Sequence, residues 1–420
     1  MKIVKLGYCN EFHCIGPECT DHCCKEWRIL FGKREYLDYK KADCGKELKD
    51  VIENAFERVR NHEKSGLTYN ENANYAEIKL KENGECPFHG SDGLCMVQKE
   101  LGEKALSHTC TVFPRLYGLV GGDVLIFGCS LTCPHVAELM ISHPEGLQVV
   151  EEEYAEGSAP GVSKGLYGIK ATPSGWKGFS QYWTIKSAQI DILQNRSFTI
   201  PERLIILGFF GKKADEYIEA GQTEKIGSLY NMMLDNEFCR SIADSLNTAR
   251  SDKTTASKSV NGFMKMYQAV KNTAAPDRLT RLFDKAAESI SMVFEEMEGD
   301  NGKVRITFDT VRYFKNLGVF RGIESERPYI LENILVNQAF LTPPDSGLFK
   351  CFFSLAVFYN ILKISLPAFL EDTRDDRELA LAVTRSAKMV INTGMAEKVS
   401  EKDFEEHGAF DLPHAVFLIS

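Results

Sequence analysis

Cys14-Ile-Gly-Pro-Glu-Cys19-Thr-Asp-His-Cys23-Cys24 sets four thiols within eleven residues near the amino terminus. Outward from it the crowding continues. Of 13 cysteines in the chain, 11 (Cys9, Cys14, Cys19, Cys23, Cys24, Cys44, Cys86, Cys95, Cys110, Cys129 and Cys133) fall in residues 9–133, leaving only Cys239 and Cys351 beyond. Seven of the nine histidines (His13, His22, His62, His89, His108, His135 and His143) lie in about the same region. Such concentration needs a local cause, and the break in composition marks a boundary between two kinds of sequence.

The boundary falls near residue 150. There Glu151, Glu152 and Glu153 lead into a Gly-, Ser- and Pro-rich stretch over 156–178 with neither helical nor strand periodicity, the pattern of a linker or long surface connection. Residues 1–150 are expected to form a cysteine-rich unit, 151–178 a linker and 179–420 a helical unit.

In the first unit, residues 46–59 and 94–106 have helical spacing and 75–80 alternates like a strand. Residues 116–120 and 123–127 flank Gly121-Gly122, a pair able to take the positive φ angles of a hairpin turn. Thr132 and Pro134 resemble the N-cap and first turn of a helix running toward Met140.

Behind the linker nearly every segment has a 3.6 period. In 277–297, Leu279, Leu282, Phe283, Ala286, Ile290, Val293 and Phe294 make one stripe. Similar helices are expected around 181–193, 201–220, 226–234, 260–270, 332–340, 349–362 and 377–391. The fold class is therefore α+β: a small cysteine-rich unit followed by an all-α one.

The chain has 420 residues with 44% hydrophobic and 26% charged side chains, an ordinary globular composition. A net charge of -9 argues against coating nucleic acid or an anionic membrane through bulk charge. The most apolar region, residues 348–370, is interrupted by Lys350, Asn360 and Lys363, so it is expected to be a buried helix and no membrane partner is expected. Lys2, Lys5 and Glu11 precede the first motif cysteine without a signal-length apolar core. A cytoplasmic location is expected.

Three chemistries compete for the thiols. A disulfide framework suits a small secreted domain, but the thiol count here is odd and the vicinal pair Cys23-Cys24 does not readily bridge to itself. Structural zinc takes four ligands, commonly from two C-x₂₋₄-C knuckles; Cys19-x₃-Cys23 supplies one, and a regular second is missing. An iron–sulfur cluster takes four thiolates from irregular loops, and the Cys-Pro step of Cys86-Pro87 and Cys133-Pro134 recurs in cluster-binding runs. The iron–sulfur reading leads and zinc stays open. His22 and His108, beside these thiols, are either ligands, hydrogen-bond donors to thiolate, or exposed polar neighbours. Cys9, Cys44, Cys239 and Cys351 lie outside the tight strings and are expected to be small buried hydrophobes.

The run Cys14-x-Gly16-x-x-Cys19-x-Asp21-x-Cys23-Cys24-x-x-Trp27, with Tyr36 to Lys40, Cys86-Pro-Phe88, Asp92-Gly93-Leu94-Cys95-x-x-Gln98, Leu101-Gly102, Thr109-Cys110-x-x-Phe113-Pro114-Arg115 and Ser130-Leu-Thr-Cys133-Pro134, resembles the flagellin lysine-N-methylase family. Its cysteine region is similar to the putative zinc- or iron-chelating domain with a C-x-x-C-x-x-C-C motif. A weaker likeness continues through Leu193-Gln194-Asn195-Arg196, Arg203-Leu204 and Glu332-Asn333 to Phe340.

The resemblance implies a protein-lysine methyltransferase that uses S-adenosylmethionine and a 4Fe-4S cluster and acts on flagellin. It carries metal-ligand candidacy onto Cys14, Cys19, Cys23, Cys24, Cys86, Cys95, Cys110 and Cys133, eight cysteines for a four-ligand cluster. It names no catalytic residue and no residue that binds S-adenosylmethionine.

Methyl transfer to lysine needs the neutral amine, which costs about 4 to 5 kcal/mol at pH 7 from a pKa near 10.4. A desolvating pocket with a hydrogen-bond acceptor lowers that cost. Asp21, Tyr36 and Tyr39 are candidates to orient the amine, with solvated surface as their bland alternative. No Rossmann glycine loop follows a strand here, and the C-x₃-C-x₂-C spacing of radical enzymes is missing. A non-enzymatic zinc- or iron-chelating interaction protein is the alternative reading, and the helical unit, which has no catalytic constellation of its own, suits recognition of a protein substrate.

Overall fold

The computed structural model describes residues 2–25, 29–59, 71–153, 168–246, 253–271, 277–296, 304–370, 374–391 and 411–419. Trp27 and half of the expected linker lie outside these residues. The strands are β1 (Lys2–Leu6), β2 (Leu30–Phe31), β3 (Phe56–Arg58), β4 (Ala76–Ile78), β5 (Arg115–Val120), β6 (Val124–Cys129), β7 (Val149–Glu153), β8 (Val293–Glu296) and β9 (Val304–Thr307). They form three sheets, ordered β5-β6-β1-β7, β2-β4-β3 and β8-β9.

The expected hairpin is present: β5 and β6 pair antiparallel from Arg115↔Cys129 to Val120↔Val124, and Gly121 and Gly122 take φ of +65° and +91° in the turn. β1 then lies parallel to β6 and antiparallel to β7. Glu151, Glu152 and Glu153, placed by the sequence at the start of a linker, are instead the last residues of β7. Lysines on the neighbouring strand explain the difference, because Lys2 pairs with Glu151 and Lys5 with Glu152, each at 2.6 Å. Cross-strand charge pairs compensate a run of carboxylates that would otherwise repel.

The second sheet and the helices Lys33–Lys41, Lys46–Asn54 and Met96–Leu101 enclose a small core of their own, including Ile29, Phe31, Tyr39, Leu48, Ile52, Phe88, Val97 and Cys86. The helix expected over 46–59 stops at Asn54 because Phe56 and its neighbours pair with β4. The Phe56 ring meets Phe31 edge-on at 5.0 Å, a packing gain that local helix propensity cannot match.

Nearly all the other buried apolar residues among those described belong to one larger core, which joins β1, β5, β6 and the helix Pro134–Ile141 to the helices beyond residue 178. The cap of Pro134–Ile141 is Cys133, one residue later than the expected Thr132. The helices Tyr182–Gln194, Ile200–Glu219, Lys225–Met233, Lys253–Lys271, Pro328–Leu341, Leu348–Phe369 and Asp376–Ile391 lie where periodicity puts them. Ile200–Glu219 begins at a capping box in which Thr199 and Glu202 satisfy each other's backbone N–H groups. Three further helices, Asn236–Leu246, Thr310–Glu326 and Leu412–Ile419, lie in this part of the chain. The expected helix over 277–297 ends at Ser289, and β8 pairs with β9 in its place, so this part is mostly but not wholly α. Leu348–Phe369 is long and apolar enough to cross a membrane by length and composition, yet nearly all of it is buried against other helices.

The segments that carried the weaker family likeness meet in this core. Glu332, 1% exposed, accepts hydrogen bonds from Arg203 at 2.8 Å and from Arg196 at 2.8 and 3.0 Å. Arg203 also donates to the carbonyls of Leu193 and Phe198. Asn333 donates to the carbonyls of Met140 and His143, and Asn337 to that of Cys129. The helix Pro328–Leu341 is thereby fastened to the amino-terminal sheet by polar bonds as well as by packing.

Candidate metal centre and its flanking cavities

The Cys14–Cys24 loop owes its course to two glycines. Gly16 (φ +54°) opens a 3-10 turn with Pro17 in its second position. Gly93 (φ +76°) lies so close that a Cβ on it would stand 3.1 Å from Pro17. The motifs Gly16-Pro17 and Gly93-Leu94-Cys95 are therefore packed face to face, and their glycines are required by the backbone. Cys24 accepts from the backbone N–H of Cys86 at 2.8 Å, while His89 bridges Cys95. Cys110 is tied by its N–H to Ser107 Oγ at 3.2 Å, and Cys133 caps Pro134–Ile141.

These ties gather all eight candidate cysteines. Cys23 is an electrostatic neighbour of Cys19, Cys95, Cys110 and Cys133, and it shares a hydrogen bond with Cys24. Cys14 adjoins Cys19, and Cys86 adjoins Cys95 and Cys110. Burial pushes the thiols of Cys86, Cys110 and Cys133 up to about 12 and that of Cys19 to about 11. Cys23 is raised first by its bond with Cys24 and then by burial. Without a cation these groups stay protonated at neutral pH, so they are poor nucleophiles, and metal binding would release their protons.

Among the described residues no three cysteine sulfurs lie within 4.8 Å of one another. A tetrahedral zinc site brings its sulfurs to about 3.8 Å, from Zn–S bonds of about 2.3 Å. The thiols are thus assembled as a neighbourhood, wider than a closed mononuclear zinc site. Cys239 and Cys351 are buried next to the carbonyls of Met233 and Pro343, and Cys9, next to the Phe127 carbonyl, is hydrogen-bonded to Cys129, an electrostatic neighbour of Cys133. Cys44 is partly buried beside the Ala42 carbonyl.

Asp21 is not solvated surface. Its carboxylate is clamped by Arg278 and by Lys388, the latter at 2.6 Å, from two helices far along the chain. Burial, then Arg278, lowers Lys388 to about 7, while Cys133, Cys19 and Cys23 act to raise it. Lys388 is thus the cation set beside the thiols. Sequence reasoning missed it, although a lysine between Ala387 and Met389 on a buried stripe is a usable signal. Tyr39 is buried and Tyr36 half-buried in an aromatic group with Phe56, so both support the small core. His108 uses its backbone N–H to reach Glu35, and His22 stacks on His89.

Two cavities flank the loop, and Thr20 lines both. One, of about 330 Å³, is lined by Lys25, Arg278, Arg281 and Arg385 against the single carboxylate of Asp21. The other, of about 480 Å³, is lined by Glu18, Glu138 and Asp376 against Arg377, with His13 and His135. His135 Nδ1 bonds Glu138 at 2.8 Å; its Nε2 is buried and has no hydrogen-bond partner among the described residues. With Nδ1–H donated to Glu138, Nε2 is an acceptor.

Residues 187–418 match the family described as the FliB lysine N-methylase C-terminal domain. The flagellar biosynthetic protein FliU of Salmonella muenchen is 34% identical over 155 residues, which is 36% of this chain and 83% of that protein. Lysine-N-methylases of Salmonella typhimurium and Salmonella choleraesuis are each 34% identical over 154 residues, covering 36% of this chain. The match spans 35% of the length of each of those two relatives. No solved structure matches the chain.

Proposed function

The chain belongs to the FliB lysine N-methylase family, and on that premise we propose that it transfers methyl groups from S-adenosylmethionine to lysine side chains of flagellin, with a 4Fe-4S cluster held by its amino-terminal cysteines. What carries the reading is the pair of oppositely charged cavities on either side of a thiol-rich loop, sharing Thr20 as a wall. A methyl donor bearing a carboxylate and an acceptor arriving as an ammonium need such opposite environments close together.

In this reading the acidic cavity receives the lysine. Glu18, Glu138 and Asp376 draw in the ammonium, and His135 Nε2, buried and without a hydrogen-bond partner among the described residues, offers the amine an acceptor. The basic cavity, through Arg278, Arg281 and Arg385, receives the carboxylate of the methyl donor.

The soft thiolate donors, in a neighbourhood too wide for one zinc ion, suit a cluster. Their four ligands come from Cys14, Cys19, Cys23, Cys24, Cys86, Cys95, Cys110 and Cys133. Were only three of these thiolates to bind, the cluster would leave one iron open to the methyl donor's amino group. Lys388 offsets the negative charge of the thiolates. The cytoplasm, where flagellin lysines are accessible before export, is the compartment this reading requires.

The test is co-expression of flagellin with this protein, followed by mass spectrometry of the flagellin. Mass steps of one methylene on lysines are expected with the native chain and their loss with Cys23→Ser. Flagellin unmodified beside a folded, metal-loaded native chain would favour a chelating role without methyl transfer.

A further inference from the structure

Three side chains outside the thiol group bring metal-binding atoms together. His22 lies between Cys19 and Cys23, Glu85 precedes Cys86, and His89 follows the Cys86-Pro87-Phe88 step. The antiparallel bridge Lys25↔Glu85 and the Cys86 N–H to Cys24 carbonyl bond lay the two segments side by side. One ligand atom from each of His22, Glu85 and His89 then falls within 4.8 Å of the others. The two imidazoles stack with ring centres 4.3 Å apart and planes 19° apart.

Packing alone does not account for this group. Nδ1 of His22 is buried without a hydrogen-bond partner among the described residues, a state that is costly when nothing satisfies the atom. Two imidazoles with one carboxylate are also the donor set of open divalent sites, in which water or a ligand takes the remaining position. Hard magnesium or calcium would need more oxygens than the group offers.

We propose that His22, Glu85 and His89 bind a divalent first-row transition metal of the zinc and ferrous class through two nitrogens and one oxygen, as a site separate from the cysteines. His22 also lines the basic cavity, so the metal stands at the cavity wall. There its charge strengthens the hold on an anion, and its open position can take a carboxylate oxygen directly. The site does not depend on the methyl-transfer reading, since the donor set and its geometry stand without any assigned activity.

Cobalt(II) is the probe, because cobalt held by sulfur shows thiolate charge-transfer bands and cobalt held by nitrogen and oxygen does not. Full-length protein is expected to bind one cobalt lacking those bands, in the native chain and in Cys23→Ser alike. That cobalt should disappear in His89→Ala and bind about tenfold or more weakly in Glu85→Gln. Far-ultraviolet circular dichroism and the metal carried by the cysteines should be unchanged in both variants. The proposal is overturned if every bound cobalt shows thiolate bands, if none binds, or if the count and affinity of sulfur-free cobalt are the same in both variants as in the native chain.

Discussion

Two carboxylates in this molecule are each held by two cations, and the comparison separates scaffold from site. Glu332 is 1% exposed, and its partner Arg203 also donates to two backbone carbonyls. Asp21 is held by Arg278 and Lys388 with the same ratio of charges, but it lines a cavity, and its lysine adjoins three thiols. The first arrangement joins the helices Ile200–Glu219 and Pro328–Leu341, and the loop that carries Arg196, in the core. The second keeps positive charge available where a ligand can reach it.

Removing Glu332 is the strongest way to test that division. Glu332→Ala leaves two guanidiniums without their carboxylate, and a loss of about 3–5 kcal/mol in unfolding free energy is expected from urea titration. The metal content of the protein that remains folded should not change. A metal loss as large as the stability loss would show that Glu332 serves the site as well.

Asp21→Asn should invert the pattern, with a smaller stability loss of about 1–3 kcal/mol and a larger fall in methylation of co-expressed flagellin. Equal effects on folding and methylation would make Asp21 scaffold too.

A third measurement uses pH. Lys186 donates to the carbonyls of Ala339, Phe340 and Thr342 at the end of the helix Pro328–Leu341, and burial lowers it to about 8. Between about 8 and its ordinary 10.5 the unfolded chain holds a proton that the folded chain has released. This group's contribution to stability therefore rises with pH across that window and is lost as pH falls through about 8. Urea midpoints compared over that range should rise less in Lys186→Met than in the native chain. Methyl transfer assayed at constant pH should be unaffected by this scaffold lysine, apart from any loss of folded protein.

The smallest effect is expected for Gly93→Ala, which adds a Cβ at positive φ against Pro17. A loss of about 1 kcal/mol, read as a lowered melting temperature, should accompany weaker retention of metal by the thiols. An unchanged melting temperature would mean that the two motif loops need not touch.

Local pattern carried the reading of the sequence as far as local pattern determines structure. Gly121-Gly122 between two apolar runs gave a hairpin, and stripes such as Leu279, Phe283 and Ala286 gave helices, because turn and helix are set by residues a few positions apart. β7 was missed because Lys2 and Lys5, about 150 positions earlier, are what turn its carboxylates into a strand. The end of the helix at Asn54 was missed because Phe56 answers to Phe31 and β4. The crowding of cysteines was legible; their meeting around Cys23 was not, since it depends on contacts between segments far apart in the sequence. Asp21 looked like surface because nothing nearby in sequence announces Arg278 or Lys388.

The clamp on Asp21 also bears on the order in which the protein matures. Its two cations belong to helices translated long after the Cys14–Cys24 loop has left the ribosome. The earliest thiols to be made must wait for nearly the last helices before their surroundings are complete. The surroundings of these thiols are therefore completed only in the finished polypeptide, and a chain interrupted before residue 388 would present cysteines without the lysine that pairs with Asp21 beside them.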